Sequence, residues 1–137
     1  WRARERLTLK EYTGINIQWP ISELILSKKK VVETRTYKIP DKYLGVHLAM
    51  IETPGKHGKF KARTVAIIKF TKCFKYKNKE EFYLDKERHL VTPESPWAWG
   101  SKAKWGWEIS IIKKIKEPIP CKVKGIVYRM NINININ

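Results

Sequence analysis

Glycines and prolines divide this chain into short segments rich in β-branched and aromatic residues, a pattern that limits it to folds built from short strands. Alternating or continuous apolar residues predict six strands, over residues 15–19, 31–37, 46–51, 60–70, 105–112 and 123–129. Helical spacing predicts short helices over 21–27 and 79–84. We expect Pro118 and Pro120 to end the fifth strand. The chain should therefore form an α+β, mainly β fold: a closed or nearly closed barrel with two or three short helices.

The length predicts a single domain, because 137 residues support one hydrophobic core. We divide the chain into a basic N-terminal arm or helix over 1–13, a domain over 14–129 and an Asn/Ile tail over 130–137. The alternating tail could form an edge strand, a zipper-prone segment or a stretch of low complexity. No segment approaches the roughly 18 consecutive apolar residues of a membrane-spanning helix. The sequence thus predicts no membrane partner, and we favour a monomer.

The chain is strongly basic, with 29 Lys and Arg against 13 Asp and Glu and a formal net charge of +16. This charge is far larger than solubility requires, and a polyanion is the partner that would balance it. An anionic lipid surface and merely solvated lysine faces are the alternatives. We therefore expect the partner to be RNA or another nucleic acid, held by Lys and Arg contacts to phosphate.

The cysteines and histidines argue against secretion and against a metal centre. Only Cys73 and Cys121 occur, and no Asn-x-Ser/Thr acceptor is present, which favours the cytoplasm or another reducing intracellular compartment. The three histidines lack the spacing of metal ligands, so we expect no metal and no cofactor. The chain opens on Trp1 and charged residues, without an initiating Met or an apolar signal, as a fragment of a longer product would.

One charged motif stands where the first predicted helix leads into the second strand. Lys30, Glu33 and Arg35 follow the pattern K-x-x-E-x-R, directly after two further lysines. Alternation places Glu33 and Arg35 on the same strand face as Tyr37. Arg35 offers a planar fork suited to phosphate or to the edge of a base. A ladder of surface ion pairs is the alternative interpretation.

This segment resembles the signature of the ASCH domain family, G-x-K-x-x-E-x-R after a short helix, with Lys28 in the position of the glycine. Further landmarks recur in the family's order and extend the resemblance over roughly residues 15–127. They are Gln18-Trp19-Pro20, Tyr43-Leu44-Gly45, Trp107-Glu108-Ile109 and residues 117–122. The resemblance implies a PUA-like β-barrel with a basic cleft, associated with RNA or with modified nucleosides.

The resemblance also bears on catalysis. Some members of the family are ribonucleases, and one branch removes acetyl groups from N4-acetylcytidine. That branch has Thr where this chain has Glu33. Because a carboxylate does not replace a hydroxyl nucleophile, we do not expect acyl transfer through this position.

Four tryptophans surround the basic loop over residues 100–104: Trp97, Trp99, Trp105 and Trp107. Trp107 shares a strand face with Ile109 and Ile111, which predicts a core position. Trp99 and Trp105 flank the loop and are candidates for stacking on unpaired bases. The loop lysines would add contacts to phosphate.

These observations leave three functions open. The first is a binding module that reads RNA or a modified nucleoside through a basic cleft with aromatic stacking. Its candidate residues are Lys28, Lys29, Lys30, Arg35, Tyr37, Trp99, Lys102, Lys104 and Trp105. The second is an RNA-processing hydrolase of the same fold, a ribonuclease or nucleoside amidohydrolase, with Lys30 and Glu33 as a catalytic acid/base pair. The third is a protein-interaction module of the transcription-coactivator type.

Overall fold

The computed structural model describes residues 7–121 and 127–133, with side chains from Glu11 to Cys121. The strands are β1 (Leu7–Gln18), β2 (Val32–Arg35), β3 (Leu48–Thr53), β4 (Arg63–Lys75), β5 (Trp105–Pro120) and β6 (Val127–Asn133). The helices within these residues are α1 (Ile21–Leu26), α2 (Lys79–Leu84) and α3 (Lys86–His89), with a 3-10 turn over Asp41–Tyr43. The prediction of an α+β, mainly β fold with a few short helices is confirmed.

The strands form one sheet in the order β2-β5-β4-β3-β1-β6, which curls strongly into a half-barrel. Strands β1 and β3 run parallel, and the other neighbours are antiparallel. The curl brings β1 close to β2 although three strands separate them in the sheet. The Arg35 guanidinium bridges this opening and donates to the carbonyl of Asn16 at 3.1 Å.

The main core packs helix α1 against the sheet. It takes buried residues from β1, α1, β3, β4 and β5, among them Ile17, Ile25, Met50, Phe70 and Trp107. Each such side chain contributes about 1.5–3 kcal/mol when fully buried, so this cluster is the main stabilising element of the fold. The burial of Trp107 confirms its predicted core position.

A second apolar cluster supports the two helices between β4 and β5. Tyr76, Phe82 and Val91 are buried together, and Trp99 packs against them. Asn78 caps α2 through its side chain, which accepts from the backbone N–H of Glu81 at 2.8 Å. The cluster and the cap together stabilise α2 and the helix that follows it.

The N-terminal strand is longer than the sequence predicted. Residues 7–13 were expected in an arm or a helix, but they extend β1 and pair with β6. Charged residues had hidden the alternation of this segment, in which Leu7 and Leu9 stand between polar neighbours. Tail residues 131–133 belong to β6, the edge strand of the described sheet. Residues 1–6, 122–126 and 134–137 lie outside the described residues, and with them residues 123–126 of the predicted last strand.

The fifth strand also differs from its prediction, because β5 continues through both Pro118 and Pro120. Strand β2 pairs only with Trp105–Glu108 of β5. Beyond Glu108, β5 therefore has β4 as its one strand neighbour within the described sheet. Proline is tolerated along such an edge, since no ladder hydrogen bond is needed from its nitrogen on the open side.

Candidate functional site

A cavity of about 280 Å³ opens where the curled sheet brings β1 and β2 together. Its wall is lined by Asn16, Ile17, Gln18, Ile21, Lys30, Glu33, Thr34, Arg35, Thr53, Val91 and Trp97. Three charged and several neutral polar side chains thus line one cavity in a small domain. Because burying charge is costly unless the charge is used or paired, this cavity is the first candidate for a functional site.

Glu33 is the centre of the charged group. It is only 7% exposed, and one carboxylate oxygen accepts from Arg35 Nη2 at 3.0 Å. The other oxygen accepts from the backbone N–H of Thr34 at 3.2 Å and lies 3.8 Å from Lys30 Nζ. The carboxylate therefore holds a lysine and an arginine side by side at the cavity wall.

Lys30 is 4% exposed, and its ammonium group donates to the carbonyl of His89. Burial lowers its pKa, while the nearby Glu33 carboxylate opposes that shift. An ammonium group has three protons, and the carbonyl and Glu33 account for two acceptors. Lys30 is therefore oriented by the protein and keeps donor capacity for an acceptor inside the cavity.

Arg35 is oriented from both sides of the opening. Its guanidinium donates to Glu33 and to the carbonyl of Asn16, and it lies 5.7 Å from the centre of the Trp107 ring. Burial acts to lower the pKa of Arg35, but the Glu33 carboxylate and the Tyr37 hydroxyl outweigh it and the pKa is raised. Arg35 is thus a cation in a fixed orientation that lines the cavity.

A fourth charge belongs to the same group. Lys104 is buried immediately before β5, and its pKa is lowered by burial, with Glu33 acting in the opposite direction. The three cations exceed the single carboxylate, so the neighbourhood of the cavity is net positive. Such a site favours an anionic ligand or one rich in hydrogen-bond acceptors.

The neutral part of the wall comes from the ends of β1 and β3. Asn16 lines the cavity, and its Oδ1 is buried without a hydrogen-bond partner among the described residues. Gln18 stands opposite Thr53 in the β1–β3 pairing. The Gln18 side chain occupies the space that a Cβ would take at Gly55, whose φ is +61°. Glycine at position 55 therefore gives room to a cavity residue.

Trp97 provides the aromatic side of the cavity. It is 40% exposed, and its backbone N–H donates to the hydroxyl of Ser95 at 3.1 Å. An exposed indole beside a basic cavity gives a flat face for a planar ligand. The loop between α3 and β5 positions this ring.

His89 connects the cavity to the second apolar cluster. Its ring stacks on Phe82 at 4.2 Å, with Nε2 2.6 Å from the Phe82 carbonyl, and Nδ1 accepts from the N–H of Val91 at 2.9 Å. This pairing requires a neutral ring with its proton on Nε2. The His89 carbonyl binds Lys30, and Val91 lines the cavity, so the cluster positions two parts of the wall.

Several residues proposed from the sequence do meet in the cavity. Lys30, Glu33 and Arg35 all line it, and the charge of Glu33 acts on the pKa of Lys104. Lys28, Lys29 and Lys102 are exposed and do not line the cavity. Of these, Lys28 lines a neighbouring depression of about 210 Å³ together with Lys30.

The aromatic candidates lie elsewhere. Trp99 packs on Phe82 with ring centres 5.6 Å apart, and Trp105 packs against the main core. Tyr37 is exposed, next to the cavity, and contacts Arg35 through its hydroxyl at 3.5 Å. Trp97, which the sequence did not distinguish, is the tryptophan that lines the cavity.

Sequence reasoning also missed Asn16, Gln18 and Thr53. A signal existed for the first two, because polar residues two apart in an otherwise apolar strand lie on one face. For Thr53 there was none, since its position depends on the parallel pairing of β3 with β1.

Comparison with known proteins leaves the family open, since no protein-family model and no curated protein matches the chain. In the described part of the chain, no cluster of three or more His, Cys, Asp or Glu side chains could hold a metal ion. Nor does any helix there have the length and apolar character needed to cross a bilayer.

Proposed function

We propose that this domain binds single-stranded RNA and accepts one unpaired base, or a modified nucleoside, in the cavity. The observation that carries the proposal is the arrangement of Lys30, Glu33 and Arg35 in one cavity beside an exposed tryptophan, Trp97. The volume of about 280 Å³ is near the lower limit of roughly 300–1,000 Å³ for drug-sized ligands. It therefore suits a single nucleoside better than a longer segment.

Charge supports a nucleic acid over a free metabolite. The chain carries a formal net charge of +16, and exposed lysines such as Lys28 and Lys29 lie just outside the cavity. Phosphates would contact these outer lysines and fix the strand, while the cavity reads what distinguishes one nucleotide from another. This division of roles is typical of RNA-binding modules that splay out a base.

The cavity wall offers the donors and acceptors that a base edge requires. Lys30 and Arg35 present donors to carbonyl or ring-nitrogen acceptors, and the amide of Asn16 has unsatisfied acceptor capacity. The oxygens of Glu33 already bind Arg35, Lys30 and the Thr34 N–H, so its role is to orient the two cations. Trp97 would stack on the base.

The proposal includes membership of the ASCH family and a PUA-like barrel. What supports this is the convergence of the K-x-x-E-x-R side chains in one cavity and the curled, half-barrel sheet. A second support is the backbone at Lys28, which has φ +65° where the family signature has glycine. A glycine would adopt that conformation without steric cost.

A hydrolase of the same fold is the second candidate, favoured by one observation. Lys30 is a buried lysine with a lowered pKa, 3.8 Å from a carboxylate and inside a cavity, which is a common setting for acid/base chemistry. Lys30 and Glu33 would then exchange protons with the substrate. Binding remains the first proposal because backbone partners hold both groups in fixed orientations, as a binding site requires.

The test compares two variants that each remove one positive charge. Arg35→Gln alters the cavity, and Lys29→Gln alters an exposed lysine outside it. With a fluorescent mixed-sequence single-stranded RNA, we expect Arg35→Gln to weaken binding roughly 10-fold or more, because a charge-assisted hydrogen bond contributes about 1.5–3 kcal/mol. Lys29→Gln should have a much smaller effect. Thermal melting of each variant controls for unfolding.

The outcomes separate the candidates. Equal losses in both variants would mean that RNA is held by net charge alone, and the cavity proposal would fail. Affinity of the parent protein should also fall steeply as salt rises, since each neutralised phosphate releases counterion. Gel analysis for RNA cleavage and chromatography of acetylated nucleosides for deacylation check the second candidate: turnover that Glu33→Gln abolishes with RNA affinity intact would make the domain an enzyme.

A further inference from the structure

A second depression, which we call the Tyr37 groove, lies beside the cavity and differs from it in chemistry. It has a volume of about 170 Å³ and is lined chiefly by Ile15, Tyr37, Ile39, Tyr43, Leu48 and Trp107. Three of these six side chains are aromatic and the other three are aliphatic. The groove therefore favours a flat, apolar occupant, in contrast to the charged cavity.

Tyr37 is held in a fixed orientation although it is 51% exposed. Its ring stands edge-on to Trp107 at 5.5 Å with an interplanar angle of 79°. Its hydroxyl accepts from Arg35 Nη1 at 3.5 Å, and its backbone carbonyl accepts from Trp107 Nε1 at 3.3 Å. An exposed ring that is already ordered can stack on a ligand with little further loss of side-chain entropy.

The Tyr37 groove and the cavity meet at Arg35. Ile15 lines the groove and Asn16 lines the cavity, while Arg35 faces the cavity and Tyr37 the groove. Arg35 is the last residue of β2, and Tyr37 lies two residues beyond it, in the bend that follows the strand. The guanidinium of Arg35 contacts both, through Glu33 on one side and the Tyr37 hydroxyl on the other.

This arrangement selects the kind of occupant. An apolar peptide or acyl chain would fit the lining but would gain nothing from the cation at the boundary of the groove. A nucleotide next to one held in the cavity would place its base in the groove and the linking phosphate near Arg35. Lys42, whose ammonium group lies 5.0 Å from the Tyr43 ring, adds a second cation at the rim.

We propose that the Tyr37 groove is a second base subsite, so that the domain binds two consecutive nucleotides of single-stranded RNA, one base in the cavity and the next stacked on Tyr37. This inference rests on the proposed function of the cavity and extends it from one nucleotide to two. Stacking of this kind tolerates any base, because every base has a flat face. Selectivity would then come from the cavity, and added affinity from the groove.

The experiment measures binding by titration calorimetry with defined ligands. The four ribonucleoside 5′-monophosphates are compared first, and the one that binds best is then extended by a single adenosine on its 5′ or its 3′ side. We expect one of the two dinucleotides to bind roughly 5- to 150-fold more tightly than the mononucleotide, the range that stacking of one base contributes. Tyr37→Ala should abolish this gain, so that the dinucleotide binds the variant no more tightly than the mononucleotide binds the same variant.

Two matched variants keep the result interpretable. Tyr37→Phe retains the ring and should retain the gain, whereas Tyr37→Leu retains apolar packing on Trp107 without a flat face and should lose it. If extension adds no affinity, or if the gain survives both Tyr37→Ala and Tyr37→Leu, the subsite is wrong while the cavity proposal stands. If no mononucleotide binds the parent protein, the cavity proposal fails, and the subsite fails with it.

Discussion

Two buried glutamates, Glu33 and Glu52, lie near opposite ends of helix α1 and have different surroundings. Glu52 is 2% exposed and accepts from Ser22 Oγ at 2.6 Å, near the start of the helix, and from Arg63 Nε at 2.9 Å. Glu33 lies beyond the other end, where the chain delivers Lys30. Both carboxylates sit on strands and pair with an arginine, so sequence chemistry alone does not separate them.

The two carboxylates differ in their access to the cavity. Glu33 lines the cavity beside two cations, whereas Glu52 lies outside it, and its Arg63 partner stacks over Phe60 at 4.2 Å on the surface. A buried carboxylate with complete hydrogen bonding and no cavity is structural, and the same group facing a cavity can act on a ligand. The comparison shows that the cavity, and not burial or pairing, distinguishes a candidate site in this fold.

The largest expected effect on stability comes from a substitution of Glu52. Glu52→Gln removes a buried charge that two donors share, and we expect the free energy of unfolding to fall by about 2 kcal/mol. RNA affinity of the folded variant should not change. Glu33→Gln should cost less stability, because its neighbours face the cavity, and should raise RNA affinity by removing a negative charge. Chemical denaturation and RNA titration of both variants measure these effects.

The opposite result would contradict the comparison of Glu33 with Glu52. If Glu52→Gln changed RNA affinity while Glu33→Gln left it at the parent value, the distinction between a structural and a functional carboxylate would be wrong.

A smaller effect concerns the pH dependence of stability that arises from His89, whose carbonyl binds Lys30. Burial lowers the pKa of His89, and the nearby Lys30 adds to this shift, against the Phe82 carbonyl and Asp85. Because the folded pKa lies below the unfolded value of about 6.5, the neutral ring contributes stability above pH 6.5 that is lost as pH falls below it. The loss from this group is at most about 1.4 kcal/mol per pH unit.

Unfolding free energies measured between pH 7.5 and 5 test this, with exposed His57 as the control. In His57→Gln, the free energy of unfolding should depend on pH as it does in the parent protein. His89→Gln should be less stable than the parent protein, and its free energy of unfolding should change less with pH. The Asp85 carboxyl contributes at lower pH, since its hydrogen bonds from Arg88 and Tyr76 outweigh burial and lower its pKa below the ordinary 3.8. A slope that is the same in all three proteins would exclude His89 as its source.

Local pattern was enough to predict most strands and the charged triad. Alternation gave β2 and β3 to within a few residues, and the spacing of Lys30, Glu33 and Arg35 indicated one rim because a strand places residues i and i+2 on the same face. The prediction of stacking residues was less useful. Trp97, Trp99 and Trp105 have similar sequence surroundings, and only the packing of α2 and α3 decides which of them lines the cavity.

Non-local geometry accounts for the rest. Asn16 and Arg35 are 19 residues apart and meet because the sheet curls, which no local pattern encodes. The contact of Lys30 with the His89 carbonyl spans 59 residues and depends on α3, a four-residue helix that the sequence did not indicate. Most of the cavity lining is therefore a product of topology, and the sequence alone indicated only Lys30, Glu33 and Arg35 among its residues.

The smallest expected effect concerns the end of α1 that leads to the cavity. After the helix, the backbone N–H of Lys28 donates to the Ile25 carbonyl and that of Lys30 to the Leu24 carbonyl, both at 2.9 Å. To make this turn, Lys28 adopts φ +65°, a conformation that costs an L residue roughly 1–2 kcal/mol. Lys28→Gly relieves this cost but gives the unfolded chain more freedom, so we expect the free energy of unfolding to rise by at most about 1 kcal/mol.

Lys29→Gly is the matched control, because Lys29 is also exposed and lacks a positive φ, and it should lower stability. Chemical denaturation of both variants provides the measurement. If Lys28→Gly were as destabilising as Lys29→Gly, the positive φ of Lys28 would carry no cost in the folded protein, and this account of the turn between α1 and Lys30 would be wrong.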